Sequence, residues 1–202
     1  METSFLIKGI IIGFSIAAPV GPIGVLCIRR TLADGRVSGL VSGLGAAVAD
    51  AVYGCIAGFG LTFVSGFLIG GQAWLRIVGG VFLCFLGIRT FLSGPAEKAA
   101  PAAGRSLAGA FVSTFFLTLT NPMTILSFVG IFAGLGIAGA GGDYGAAGAL
   151  VLGVFSGSAL WWLLLSGSVG ALREKVTPRG MQWVNRGAGA IIAAFGLLAL
   201  LG

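Results

Sequence analysis

The stretch Phe14–Leu26 reads FSIAAPVGPIGVL, and it decides how the chain folds. It lies inside a long apolar run, yet it places Pro19 and Pro22 three residues apart with Gly21 between them. Proline has no backbone N–H and its ring clashes with the carbonyl one turn earlier, so a continuous helix cannot pass through this stretch undisturbed. The stretch therefore predicts a hydrophobic helix that is interrupted near its middle.

The composition around this stretch is that of a membrane protein. Of the 202 residues, 57% are hydrophobic and only 9% are charged, whereas soluble domains carry about 25% charged residues. Lipid admits only helices and closed barrels, and a spanning helix needs about 20 mostly apolar residues. The apolar runs are too long and too little alternating for barrel strands, so we expect an all-α integral membrane protein. Six runs of spanning length can be drawn, at 5–28, 38–63, 73–93, 107–132, 146–171 and 183–201.

These runs form one transmembrane domain, 1–202, in two halves. The halves cover about 1–93 and 107–202, and the polar connection 94–106 between them is typical of a flexible linker. No connection is long enough for a separate soluble domain.

The Lys and Arg residues predict the orientation, because cytoplasmic connections carry an excess of them. Ten of the twelve fall on one side, and Lys8 and Arg76 fall on the other. We therefore expect a multi-pass protein of the cytoplasmic membrane with both termini outside. This asymmetry explains the net charge of +6 without a nucleic-acid partner. The ten are Arg29, Arg30, Arg36, Arg89, Lys98, Arg105, Arg173, Lys175, Arg179 and Arg186.

An internal repeat relates the two halves. The segment Trp74–Ile88 aligns without a gap with Trp183–Leu197, and a proline break in the first run has a counterpart at Asn121-Pro122 in the fourth. Each half contains three spans, so the second half must be inverted relative to the first. We expect two inverted three-helix repeats with helices 1 and 4 interrupted, an arrangement that places transporter sites at the midplane. The aligned identities are Trp74 with Trp183, Gly80 with Gly189, and Gly87 with Gly196.

The two breaks predict an anion site at the midplane. Proline is favoured at the first position of a helix, so Pro22 and Pro122 can each start a half-helix, with Asn121 as N-cap of the second. Helix N-termini carry partial positive charge and free N–H donors, which suit a carboxylate. The alternative is that these prolines only kink membrane helices, as prolines often do.

Asp50 is the only acidic residue deep in a predicted span. A carboxylate at mid-bilayer costs about 2.5–3.5 kcal/mol, so its default interpretation is functional. It could bind a substrate ammonium or carry a proton, or it could form an ion pair with Arg76 or Arg89. The chain has no histidine, so a proton would pass through Asp50, water and hydroxyl groups, which otherwise serve as structural hydrogen-bond partners. The candidate hydroxyls are Ser15, Thr118, Thr120 and Ser158.

Small residues and tryptophans complete the pattern. Several glycine pairs have the G-x-x-x-G spacing of closely packed membrane helices, and Trp161 and Trp162 lie well inside the fifth run, where they could line a cavity or face lipid. The pairs are Gly39 with Gly43, Gly54 with Gly58, Gly130 with Gly134 and Gly153 with Gly157.

These elements together resemble the LysE family of lysine and homoserine/threonine exporters. The resemblance rests on APVGP in the first helix, an acid in the middle of the second, and LTLTNPMTILSF in the fourth. It implies a secondary transporter that exports amino acids or closely related small metabolites, in many relatives driven by the proton gradient, and that forms a homodimer; we expect neither a cofactor nor an enzymatic activity. Its motif residues correspond here to Pro19, Gly21 and Pro22, to Asp50, and to Asn121 and Pro122.

Two other functions stay open. A divalent metal exporter is one, since members of a related superfamily are of that kind, but such a cation needs several converging ligands and Asp50 is nearly alone. A membrane thiol oxidoreductase is the other, but it needs two adjacent cysteines, and Cys27, Cys55 and Cys84 form no C-x-x-C pair.

Overall fold

The computed structural model describes residues 2–19, 21–59, 72–92, 106–121, 124–125, 127–128 and 144–201. Within these ranges the chain forms seven α-helices, one 3₁₀ turn and no strands. An all-α fold is therefore confirmed. The helices are α1 (Glu2–Ala17), α2 (Pro22–Asp34), α3 (Arg36–Gly58), α4 (Gln72–Phe91), α5 (Leu107–Leu119), α6 (Tyr144–Leu172) and α7 (Pro178–Leu201), with the 3₁₀ turn Arg173–Lys175 between α6 and α7.

The first hydrophobic run is broken where its prolines predict. Helix α1 ends at Ala17, and α2 begins at Pro22 with Gly21 as its N-cap. The two helix axes turn by 79° at this break. Proline at the first position of α2 sacrifices no hydrogen bond, because that N–H has no intrahelical acceptor in any helix.

Helix α2 extends further than the sequence predicts. The sequence predicts that the first run ends at residue 28 and that Arg29 and Arg30 lie in the connection after it, but α2 continues to Asp34. Only Gly35 then separates α2 from α3, and its φ of +102° suits a residue without a side chain. The two arginines therefore belong to a helix and are positioned by its packing.

A second break occurs at Asn121. Helix α5 ends at Leu119, and the Asn121 carbonyl accepts hydrogen bonds from the N–H groups of Thr124 and Ile125 at 3.1 and 3.2 Å. Asn121 thus opens a new helical turn, as expected for an N-cap. The Leu119 carbonyl, at the end of the broken helix, accepts a 2.6 Å hydrogen bond from the hydroxyl of Tyr53 on α3. Pro122 lies outside the described residues.

Three of the described helices are long and apolar enough to cross a membrane, namely α3, α6 and α7. The bent pair of α1 and α2 would make a fourth span. Helices α4 and α5 include shorter apolar segments, Ile77–Phe91 and Leu107–Leu119. The chain is thus an α-helical membrane protein, and the layout of six spans stays a prediction.

Helices α1 and α6 run parallel and touch backbone to backbone. A Cβ added at Gly9 would meet the Leu150 carbonyl, and one at Gly157 would meet the Ile10 carbonyl, both closer than real atoms approach. The pair Gly153 and Gly157 therefore packs as its spacing predicts.

Helices α4 and α7 form a second close pair, which is antiparallel. A Cβ at Gly80 would meet the Gly196 carbonyl at 3.0 Å, and a Cβ at Gly189 would meet the Gly87 carbonyl at 2.7 Å. The two contacts correspond to each other when the aligned segments of the two halves are exchanged.

Helix α2 lies in the interior of the bundle. Its Leu26 and Cys27 pack in one buried cluster with Ala46 of α3, Trp162 of α6 and Ile192 of α7. The outward faces of the surrounding helices expose many large apolar side chains, as a lipid-facing surface requires.

We predict that Gly157→Ala destabilises the bundle. The added methyl group would overlap the backbone of α1, and overpacking of this kind costs about 1–3 kcal/mol. Gly167→Ala is the matched control on the same helix, because a Cβ there meets nothing within 4 Å. Thermal unfolding in detergent should show a lower midpoint for Gly157→Ala only, and equal midpoints would contradict the close packing of α1 and α6.

Candidate functional site

The two helix breaks open onto one cavity of about 360 Å³. Residues from α1, α2, α3, α5, α6 and α7 surround it, together with residues that follow α5. They are Ile16, Ala17, Pro19, Gly21, Pro22, Ile23, Gly24, Ala46, Asp50, Thr118, Asn121, Thr124, Ser127, Trp162 and Phe195.

Asp50 supplies the carboxylate of this cavity. It lies on α3 and is only 3% exposed. The Ser158 hydroxyl on α6 donates a 2.7 Å hydrogen bond to Asp50 Oδ2, and Trp162 Nε1 donates to Ser158 Oγ at 3.2 Å. A hydroxyl has one proton, so the Trp162 bond leaves the Ser158 proton directed at Asp50. The carboxylate is therefore held in place by two residues one helical turn apart on α6.

The start of α2 supplies the opposite polarity. Gly21, Pro22 and the next two residues of the first turn all line the cavity. The N–H groups of a first turn point back along the helix axis and carry about half a positive charge together. A helix N-terminus and a carboxylate thus line the same cavity, which suits a ligand with one anionic and one cationic group.

Most of the predicted site residues meet at this cavity. Pro19, Gly21, Pro22, Asp50 and Asn121 line it, although they come from distant parts of the chain. Ser158 reaches it through its bond to Asp50.

Two predicted hydroxyls lie elsewhere. Ser15 is exposed on α1, and the hydroxyl of the half-buried Thr120 donates to the Phe116 carbonyl of its own helix at 2.9 Å. Neither is among the residues that line the cavity. Of the two tryptophans on α6, Trp162 lines the cavity, and Trp161 packs edge-on against Phe14 with ring centroids 5.4 Å apart.

Several residues that line the cavity have no role predicted from the sequence. Thr124 and Ser127 follow Asn121 at intervals of three residues, a helical spacing that could have indicated a shared polar face. Phe195 of α7 lies in an apolar run and carries no comparable signal.

Asp50 is the one carboxylate among the described residues that line the cavity. Among the described residues no three His, Cys, Asp or Glu side chains group as a metal site. Arg89, one suggested ion-pair partner, lines a different cavity, and the side chain of Arg76 is outside the described part of the chain. The three cysteines, which lie on α2, α3 and α4, are free thiols.

Comparison with known proteins finds a family model and a relative that each cover most of the chain. A model of the LysE type translocator family matches residues 14–202, a range that includes both breaks and Asp50. The protein named "Putative amino acid efflux protein YcgF" of Bacillus subtilis (strain 168) is similar at 27% identity over 192 residues, which cover 93% of this chain and 90% of that protein. No solved structure matches the chain.

We predict that Ser158→Ala lowers the stability of the folded protein. The substitution removes a hydrogen bond from a buried carboxyl group, which costs about 1–3 kcal/mol. Ser156→Ala is the matched control, since Ser156 is exposed on the same helix two residues away. Thermal unfolding in detergent measures both, and an unchanged midpoint for Ser158→Ala would contradict the role of this hydrogen bond.

Proposed function

This chain belongs to the LysE type translocator family, and on that premise we propose that it is a secondary transporter that exports amino acids across the cytoplasmic membrane. Its family makes it a membrane transport protein and not an enzyme. The similarity to a protein named for amino acid efflux supports the substrate class. The observation that carries the proposal is the shared cavity of Asp50 and the α2 N-terminus.

An amino acid has the two charges that this cavity accepts. Its carboxylate would lie against the first turn of α2 and the turn that begins at Asn121, and its ammonium would lie toward Asp50. The volume of about 360 Å³ falls at the lower end of the range for small-molecule sites, about 300–1,000 Å³. Trp162 and Phe195 would provide apolar contacts to the side chain.

Asp50 also gives a means of coupling export to the proton gradient. A proton arriving from outside would neutralise the carboxylate and remove its attraction for the ammonium group. The amino acid would then leave outward and the proton inward, so Asp50 would carry either one or the other. Ser158 would hold the carboxyl group in one position throughout the exchange.

Alternating access would follow from two inverted repeats, as the sequence predicts. Two features support this architecture: the corresponding glycine contacts between α4 and α7, and the hydrogen bond between Asp50 and Ser158, which lie near the middles of the antiparallel helices α3 and α6. The two breaks that flank the cavity, one between α1 and α2 and one after α5, would be the symmetry-related parts of the first and fourth predicted spans. The homodimer implied by the family resemblance stays a prediction.

We expect Asp50→Asn to reduce gradient-driven amino acid efflux by about 10–100-fold, because the neutral amide cannot exchange an ammonium for a proton and hydrogen bonds to a charged group contribute about 1.5–3 kcal/mol. Efflux is measured from proteoliposomes loaded with pooled amino acids and, in parallel, with zinc, cadmium and manganese. Glu97→Gln, in the polar connection, is the charge-matched control.

Full gradient-driven efflux by Asp50→Asn would overturn the coupling mechanism. Metal movement without amino acid movement by the unmodified protein would overturn the substrate class and favour a divalent cation exporter.

The orientation can be tested at two tryptophans that the repeat alignment pairs. Trp74 and Trp183, near the first residues of α4 and α7, are 74% and 72% exposed. With the arginine-rich side in the cytoplasm, a cysteine replacing Trp183 should react with an impermeant maleimide in inverted vesicles, and one replacing Trp74 should react in intact cells. The three native cysteines are changed to alanine beforehand. Labelling of both positions from one side would contradict the predicted topology.

A further inference from the structure

The lining of the Asp50 cavity has very little charge. Asp50 is the one charged residue among the described residues that line it. The sequence extends this observation to the surrounding chain, because the segments that contribute lining residues contain no other Asp, Glu, Lys or Arg. These segments are 9–28, 37–75, 106–142, 144–172 and 187–202.

Part of the lining is a hydrophobic wall. Its five residues belong to one buried apolar cluster or pack against it, although they come from five different helices. They are Ala17, Ile23, Ala46, Trp162 and Phe195. Trp162 has a single N–H, which already donates to Ser158, so its ring has no donor left for a ligand. The hydrophobic wall therefore offers a ligand only apolar contacts.

The polar lining residues come from another part of the chain, namely α5 and the residues that follow it. They are Thr118, Asn121, Thr124 and Ser127. The hydroxyl of Thr118 donates to the Thr114 carbonyl of its own helix at 2.9 Å, so its proton is already in use. The turn that begins at Asn121 is the place proposed above for the substrate carboxylate. The hydrophobic wall is thus the part of the lining that remains for the substrate side chain.

We propose that this cavity selects amino acids with an uncharged, apolar side chain, such as leucine, methionine and phenylalanine, and rejects lysine and glutamate. The inference rests on the proposed function, since it takes the ammonium group to lie toward Asp50 and the carboxylate toward α2. Both charges of the amino acid backbone then have a partner. A third charge, on the side chain, would be buried among apolar groups without one, which is strongly unfavourable inside a membrane protein.

Norleucine and lysine form the matched pair that tests this selectivity. They share the same unbranched hydrocarbon side chain, to which lysine adds an ammonium group. Purified protein in detergent is titrated with each amino acid at neutral pH and constant ionic strength, and the rise of the unfolding midpoint gives the Kd. Norleucine should bind about 100-fold more tightly than lysine, because the added charge finds no partner. Methionine and glutamate, whose side chains are of similar length, should differ in the same direction.

A substitution at Phe195 tests whether the substrate side chain lies against the hydrophobic wall. Phe195 is half-buried on α7. Phe195→Glu places a carboxylate there as a partner for the side-chain ammonium group of lysine, and Phe195→Gln is the uncharged control of the same size. The ratio of lysine affinity to norleucine affinity should be at least about tenfold higher in Phe195→Glu than in Phe195→Gln. Equal ratios in the two variants would overturn this placement of the side chain.

The unmodified protein decides the selectivity even if Phe195→Glu does not fold. Lysine binding as tight as norleucine binding would overturn the selectivity and leave the proposed export of amino acids intact. If no amino acid binds and none leaves loaded proteoliposomes, the proposed function fails and the selectivity fails with it. The two failures are therefore distinguishable.

Discussion

The structure depends on the cost of breaking a helix in lipid. Backbone N–H and C=O groups that lose their helical partners in a hydrocarbon environment cost several kcal/mol each, so such breaks are tolerated only inside protein or along a cavity. The prolines after α1 and the turn at Asn121 create two such breaks, and the structure brings both to one cavity. Tyr53 shows the same requirement, because its hydroxyl supplies a donor to the Leu119 carbonyl at the end of α5. The polar site is thus a consequence of how the breaks are accommodated.

Close helix packing places the cavity at the centre of the bundle. Glycines allow α1 to touch α6 and α4 to touch α7 through their backbones. Helix α2, which is shorter and lies across the direction of α1, then fits in the interior with its N-terminus at the cavity of Asp50. Its other end carries Arg29 and Arg30, which donate hydrogen bonds to Asn185 on α7 and Ser42 on α3, so both ends of this 13-residue helix have polar surroundings.

Local features of the fold and the close approach of helices at glycine pairs were predictable from the sequence, and the hydrogen bonds between side chains of different helices were not. The break at Pro19 and Pro22 follows from the covalent structure of proline, and the importance of Asp50 follows from its depth in an apolar run. The bond from Ser158 to Asp50 joins residues 108 positions apart, so it depends on how α3 and α6 pack. Thr120 and Ser158 were equally plausible as hydroxyl donors, yet Thr120 turns back to its own helix.

Counting the arginines on each side of the membrane does not predict where Arg29 and Arg30 lie in the fold. Their number on one side of the membrane predicts an orientation, but it treats Arg29 and Arg30 as part of a connection. The structure extends α2 through both and surrounds them with α3, α5 and α7, because hydroxyl, amide and carbonyl oxygens of those helices accept their hydrogen bonds. An arginine that serves to predict the topology can thus also be held in a fixed position by hydrogen bonds to neighbouring helices.

The most direct test of how this cavity binds its substrate is an experimental structure of the protein with a transported amino acid bound. We expect the ammonium group within hydrogen-bond distance of Asp50 and the carboxylate at the first turn of α2, between Gly21 and Gly24. An amino acid bound with its carboxylate toward Asp50, or bound away from both helix breaks, would contradict it.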